Sequence, residues 1–140
     1  MAQPKVIILK GIPITKEGYA DGAVMPGQLL EKSGLETFEP HGTAGGNAAP
    51  RFALPGSDWG NDIDTPYADG DTLKYGVFRQ GDEVYAFLNA GASATAGDYL
   101  ESAGNGSLRP FSTGVAFAQA LETIDNSGGA SNVRLRVEVI

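Results

Sequence analysis

Residues 27–40 read GQLLEKSGLETFEP, and residues 97–110 read GDYLESAGNGSLRP. At a fixed offset of 70 residues, Gly27 matches Gly97, Leu30 matches Leu100, Glu31 matches Glu101, Gly34 matches Gly104 and Pro40 matches Pro110. Glycine supplies the backbone freedom of tight turns, and proline is confined to strand ends and edges. Each stretch therefore reads as a glycine turn, a short strand, a second glycine turn and a return strand closed by proline. An apolar stretch follows each copy, Phe52-Ala53-Leu54 in one and Val115–Leu121 in the other. Two such units can pack as pseudo-symmetric halves of one small barrel or sandwich. The competing reading is coincidence between two glycine-rich hairpins.

The remaining periodicity supports a mainly β chain, a small antiparallel barrel or sandwich of short strands with long glycine-rich loops. In Val133-Arg134-Leu135-Arg136-Val137-Glu138-Val139 apolar and charged residues alternate strictly, the mark of a half-buried strand. Thr72–Arg79 and Glu83–Leu88 flank Gln80-Gly81-Asp82 and read as a hairpin, with Phe78 and Phe87 paired across it in the core. Val6–Leu9, Leu29–Glu31, Arg51–Leu54, Tyr99–Ser102 and Val115–Leu121 are further strand candidates. The alanines of the last would also suit a helix. Its odd positions Val115, Phe117 and Leu121 share one strand face, which favours a strand.

Composition agrees. Glycine and proline together make 28 of 140 residues, which counts against a helical bundle. A chain of 14.5 kDa should fold to a surface of roughly 6,900 Å², enough for a single core. The net charge of −7 would repel nucleic-acid phosphates, so no nucleic-acid partner is expected. With no cysteine there is no disulfide framework, zinc ribbon or thiol nucleophile. The apolar run Val6–Leu9 is too short for a signal-peptide core, and no longer run suggests a membrane segment.

Catalytic constellations are sparse. His41 is the only histidine, and between Pro40 and Gly42 it reads as a solvated loop residue rather than a general base. Gly56-Ser57-Asp58-Trp59-Gly60 has its serine misplaced for a nucleophile elbow and reads as a turn. No phosphate-binding loop or dinucleotide fingerprint occurs. Asp58, Asp62, Asp64, Asp69 and Asp71 form an acidic segment, but their spacing matches no EF-hand or calcium nonapeptide repeat. No catalytic residue, metal site or cofactor is therefore assigned.

Lys5, Lys10 and Lys16 stand against Glu17 alone in the first seventeen residues. Residues 1–17 thus read as a basic N-terminal arm on a single β-rich domain of residues 18–140. Such an arm could dock on an acidic neighbour with steering from complementary charge. Trp59 and Tyr67 read as core residues or as contacts to a partner or to another copy.

The run Gly81-Asp82-Glu83-Val84-Tyr85-Ala86-Phe87-Leu88, the stretch 97–110, Ala120–Ser127 and the terminal Val133–Ile140 resemble the head decoration, or cement, proteins of tailed bacteriophages. The likeness covers about residues 70–140 and is looser before them. It implies a small β-rich protein made in the host cytoplasm that binds the outside of the assembled capsid and stabilises it. Its partner would be the major capsid protein, and it would act as a homo-oligomer, with a trimer favoured. It carries no catalytic residues to transfer. The alternative is a β-rich glycan- or host-binding module on the virion, with Trp59 and Tyr67 stacking on sugar rings.

Overall fold

The computed structural model describes residues 3–140. Short strands follow one another: β1 (Ile8–Lys10), β2 (Ile14–Ala20), β3 (Leu30–Lys32), β4 (Thr37–Pro40), β5 (Arg51–Ala53) and β6 (Thr72–Val77), with a 3₁₀ turn at Ser57–Trp59 between the last two. Next come β7 (Glu83–Leu88), β8 (Ser93–Ala94), β9 (Tyr99–Ser102), β10 (Leu108–Pro110), β11 (Ala118–Ala120), β12 (Ile124–Asp125) and β13 (Val133–Val139). No α-helix occurs among the described residues. The expectation of a mainly β chain holds.

The strands form two closed, five-stranded rings. In the first the order is β3-β4-β2-β6-β5, and a Leu29–Phe52 bridge joins the last strand to the first. In the second the order is β7-β10-β9-β11-β13, closed by pairing of β13 with β7. Connectivity is the same in both. The first strand of each barrel pairs in parallel with the return strand of the hairpin, β2 with β4 and β7 with β10. It also pairs antiparallel with the final strand, β6 or β13. Leu30 lies opposite Pro40 as Leu100 lies opposite Pro110. The Val24–Tyr67 bridge takes the place that β8 and β12 occupy in the second barrel.

Interior positions correspond one to one. Ala20, Val24, Leu30, Phe38, Ala53, Leu73 and Tyr75 fill the first barrel. Leu88, Ala94, Leu100, Leu108, Ala120, Leu135 and Val137 fill the second. Volume is traded between neighbours: the first barrel combines Ala20 with the Phe38–Tyr75 ring pair, 4.4 Å between centroids, where the second has three aliphatic side chains. Such exchange keeps total volume constant, which packed interiors tolerate. Two interior clusters replace the single core expected from chain mass.

The residues shared at offset 70 have local structural work. Gly27 and Gly97 adopt φ of 93° and 97°, a region open to glycine, and donate their N–H groups to Ala53 O and Ala120 O. Leu30 and Leu100 are core. The carboxylate of Glu31 accepts the Gly42 N–H at 2.8 Å, and that of Glu101 accepts the matching Ser112 N–H at 2.8 Å. The carboxylate thus latches the chain as it leaves each hairpin.

Three readings of the sequence need correction. Segments 72–79 and 83–88 do not form a hairpin. β6 pairs with β2 and β5, whereas β7 pairs with β13, β10 and β1, so residues 78–82 are the crossing between barrels. Phe78 is buried in the seam between barrels, whereas the half-buried Phe87 lies under the Arg134 guanidinium. Within Val115–Leu121 only Ala118–Ala120 is strand, with Ala118 and Ala120 inside the barrel; of the odd residues Phe117 is buried in the seam, whereas Val115 and Leu121 are exposed. The basic stretch is also not a free arm. β1 lies antiparallel on β7 of the second barrel, and β2 is built into the first. Met1 and Ala2, at its start, lie outside the described residues.

A seam joins the barrels. Leu29 N–H donates to Gly106 O at 2.9 Å, Gly106 N–H to His41 O at 3.1 Å and Gly45 N–H to Ser102 O at 2.8 Å. Arg134 donates to Pro26 O and Ile63 O, both at 2.6 Å. Phe52 meets Phe78 edge-on at 5.5 Å and lies 6.4 Å from Phe117 across the seam. Burying side chains of this size stabilises by roughly 1.5–3 kcal/mol each. The total surface of 6849 Å² agrees with roughly 6,900 Å² for one body of this mass.

Gly106 tests the seam. A Cβ there would lie 2.9 Å from Pro40 Cβ and 3.2 Å from Gln28 Cβ, whereas one at Gly91 meets nothing within 4 Å. Their φ values, +80° and +81°, are alike. Gly91→Ala should cost about 1 kcal/mol for the left-handed backbone alone. Gly106→Ala should cost about 3 kcal/mol because overpacking is added. Urea midpoints of the two variants measure the difference.

Candidate interaction surface

The structure redistributes the residues singled out from sequence. Lys5, Lys10 and Lys16 are all exposed, but they do not form one cluster along an arm. Lys5 lines a groove with Thr15, Leu54, Asp62 and Lys74. Lys10 sits at the end of β1 opposite Glu83, and Lys16 sits mid-strand on β2 opposite Tyr75. Trp59 is 52% exposed beside a depression that Asn61, Tyr67, Asp71 and Thr72 also line. Tyr67 belongs to the first barrel's interior, with its hydroxyl donating to Leu54 O at 2.6 Å. Burial raises its phenol pKa. The pair thus meets at one depression, with Trp59 exposed and Tyr67 largely buried in its wall.

His41 is not solvated. It is 3% exposed, with Nδ1 2.7 Å from Ser102 Oγ and Nε2 2.9 Å from Asn47 O. A carbonyl can only accept, so Nε2 carries a proton toward Asn47 O, while Nδ1 and the Ser102 hydroxyl share a hydrogen bond. Nδ1 thereby joins one barrel to the other, while Nε2 ties the loop after β4 within the first. No substrate could reach the ring without opening the seam.

The aspartates of segment 58–71 are spread over separate structural tasks. Asp58 pairs with Lys74 at 2.8 Å, and Asp64 lies 3.6 Å from Arg134. Asp69 and Asp71 accept backbone N–H groups from Gly22 and Ala68 around the turn at Gly70. Asp62 caps Asp64 N–H and the Thr65 hydroxyl. No group of three or more metal-ligating side chains occurs among the described residues.

The one fully buried carboxylate is Glu101. It accepts N–H groups from Ser112 and Gly114 and pairs with Arg109 at 2.8 Å. The Ser112 N–H, then Arg109 and Gly114, hold its carboxyl below the ordinary value of 4.5 against the opposing effect of burial. Its identity with Glu31 in the repeat was the one sequence signal for this role.

What the surface offers instead is apolar area. Tyr99, Phe111, Leu121 and Ile140 are exposed together on the outer side of the second barrel, on or directly after β9, β10, β11 and β13. Tyr99 and Phe111 are neighbours across β9 and β10, whereas Gln119 and Glu138 lie between Leu121 and Ile140 on the β11–β13 pair. Exposed apolar side chains grouped on one side of a barrel offer contact surface.

The fold defines a class: a tandem of two small closed β-barrels fused through a seam. No protein-family model and no curated protein matches the chain. Among solved structures it resembles the head fiber gp8.5 N base of bacteriophage phi29, with a TM-score of 0.62 over 92% of this chain and 95% of that one. Sequence identity is 15%, so the likeness is one of fold. That fold is found in a phage head protein.

Glu101 gives a test of the latch. Because its folded pKa is depressed, its stabilisation is complete above the ordinary carboxylate range and is lost as pH falls through the folded value. Glu101→Gln should be less stable than wild type by about 2 kcal/mol at pH 7. Between pH 7 and pH 3 the melting temperature of wild type should fall more than that of the variant. Scanning calorimetry at both pH values measures this.

Proposed function

We propose that this chain is a structural virion protein that binds the outer surface of an assembled phage capsid and stabilises it, with the major capsid protein as partner. One observation carries the reading: nearly the whole chain shares its fold with a phage head fiber base. The chemistry of the chain supports it. The sole histidine is spent on internal packing, and the shared glycines, leucines and glutamates of the two barrels serve turns, cores and latches. Two barrels locked by a seam make a rigid body whose contact surface needs little ordering on binding.

A cement protein acts by preferring the completed shell to its loosened state, which stabilises the shell by mass action. Many symmetric copies reinforce one another through multivalency. We favour three copies at each attachment point. Lys5, Lys10 and Lys16 supply positive charge on a chain of net charge −7 and are the residues proposed to meet acidic capsid surface.

A second reading, a glycan- or host-binding module on the virion, draws its support from the exposed Trp59 ring beside its polar depression. The two readings separate cleanly. Purified protein added to expanded, undecorated heads should occupy regular outer positions in cryo-electron microscopy, while a glycan array stays blank. Bare heads together with an array signal abolished by Trp59→Ala would favour the second reading.

Residues 8–16 lie in both sheets, so truncating the basic stretch would damage the fold. The combined exchange Lys5→Glu, Lys10→Glu and Lys16→Glu should instead lower capsid affinity about tenfold at low salt, and less at high salt. Unchanged occupancy would remove the lysines from the docking surface.

A further inference from the structure

In the second barrel the edge of β7 that faces away from β13 is occupied at both ends. β10 takes the end at Leu88, and β1 takes the start, with Ile8 opposite Val84 and the Tyr85 N–H donated to Ile7 O at 2.8 Å. The matching strand of the first barrel is β2. Asp21 N–H donates to Phe38 O as Asn89 N–H donates to Leu108 O, so Ala20 stands for Leu88, Glu17 for Tyr85 and Lys16 for Val84. Here β4 reaches only Tyr19 and Ala20, and among the described residues no strand takes the place of β1.

The edge left open runs from Ile14 to Glu17. Ala20 turns its backbone to the β6 side, its N–H donating to Asp71 O and its carbonyl accepting from Gly70 N–H. Backbone groups along an extended strand alternate between its two neighbours, so those of Thr15 and Glu17 point away from β6. They make no hydrogen bond among the described residues. Ile14, Thr15, Lys16 and Glu17 are all exposed. A row of free N–H and C=O groups is a template for another strand.

The side chains beside this edge select the strand that fits. Glu17 and Glu36 line one groove with Gly18, Tyr19 and Thr72. Neither carboxylate has an ion-pair partner among the described residues. Residues directly opposite across a strand pair share a face, so a basic side chain opposite Glu17 enters that acidic groove. Ile14 is 56% exposed at the other end of the edge and on the other face of β2. An apolar side chain opposite it would cover it.

We infer that β2 accepts an extended antiparallel strand of another protein along Thr15 and Glu17, with a basic residue opposite Glu17 and an apolar residue opposite Ile14. Main-chain hydrogen bonds supply the affinity, and the two side chains supply the choice of partner. The first barrel thereby takes from outside the strand that the second takes from this chain's own β1. The inference does not rest on the virion reading, and its test uses no capsid.

The test is an NMR titration of the full chain, following backbone amides, with the peptide acetyl-Thr-Lys-Thr-Val-Ile-Thr-amide. Its lysine falls opposite Glu17 and its isoleucine opposite Ile14. The peptide should move the amide signals of Thr15 and Glu17 with a Kd of about 1 mM, as befits so short a strand. The Tyr85 signal, whose edge is already taken, should stay in place. A peptide with glutamate for lysine should bind about tenfold more weakly at low salt. Glu17→Pro removes the outward N–H but no bond to β6, as edge prolines do, and should abolish binding. Melting curves report whether that variant folds. If it does not, a peptide N-methylated at its lysine and valine takes its place, with the same expected loss. Unmoved Thr15 and Glu17 signals, binding that survives either backbone block, or equal affinity for the lysine and glutamate peptides would overturn the inference. Thr15 and Glu17 signals that shift with protein concentration alone would give the edge to a second copy and overturn the assigned partner.

Discussion

The hydrogen bonds that Leu29 and His41 share with Gly106, and the apolar contacts around them, are the constraint on which the rest of the structure depends. A barrel of five short strands encloses few side chains. The first barrel's interior holds eight fully buried apolar residues. A unit of about 60 residues buries only about 60% of its unfolded surface and is marginal alone. Joining two such units through Leu29, Phe52, Leu54 and Phe78 extends the second barrel's buried cluster across the seam. The chain carries the equivalent of two small domains but is stable as one body.

The same constraint explains how two similar barrels diverged in what they expose. Inside, the correspondence is close: Leu30 with Leu100, Leu73 with Leu135, Ala53 with Ala120. At the hairpin exit the carboxylates of Glu31 and Glu101 make the same backbone contact. Outside, the matching positions carry different residues because one face is covered and its twin is open. His41 has a polar partner across the seam, whereas its counterpart Phe111 has an apolar ring turned outward. Such a frame can persist at low sequence identity, because it asks only for turns, small interior residues and a latch.

Much of the fold was legible because it is local. The alternation of Val133–Val139 identified a strand with Leu135 and Val137 inward, and the glycine and proline spacing located both hairpins at residues 30–40 and 100–110. Pairing partners were not legible. Alternation tells which face of a strand is buried but not against which strand, so neighbours in sequence, 72–79 and 83–88, were read as a hairpin although they belong to different barrels. His41 failed for the same reason. Its burial comes from Ser102 and Asn47, and Ser102 is 61 residues distant in the chain. Tyr67 looked available to a partner because no local signal announces its hydrogen bond to Leu54 O. The exposed Tyr99, Phe111, Leu121 and Ile140 come from four strands, and their place on one side of the barrel becomes visible only when the sheet closes.

Native-state hydrogen exchange tests the central claim, that the two barrels form one cooperative body, most directly. The amides of Leu29, Gly106 and Gly45 bond across the seam, whereas those within the β7–β13 ladder lie inside one barrel. Amides that open only on global unfolding share one exchange free energy. The seam amides should therefore exchange at the rate of the slowest ladder amides and respond equally to added urea. Seam amides exchanging a hundredfold faster while both ladders stay protected would show barrels that separate freely, contradicting the account.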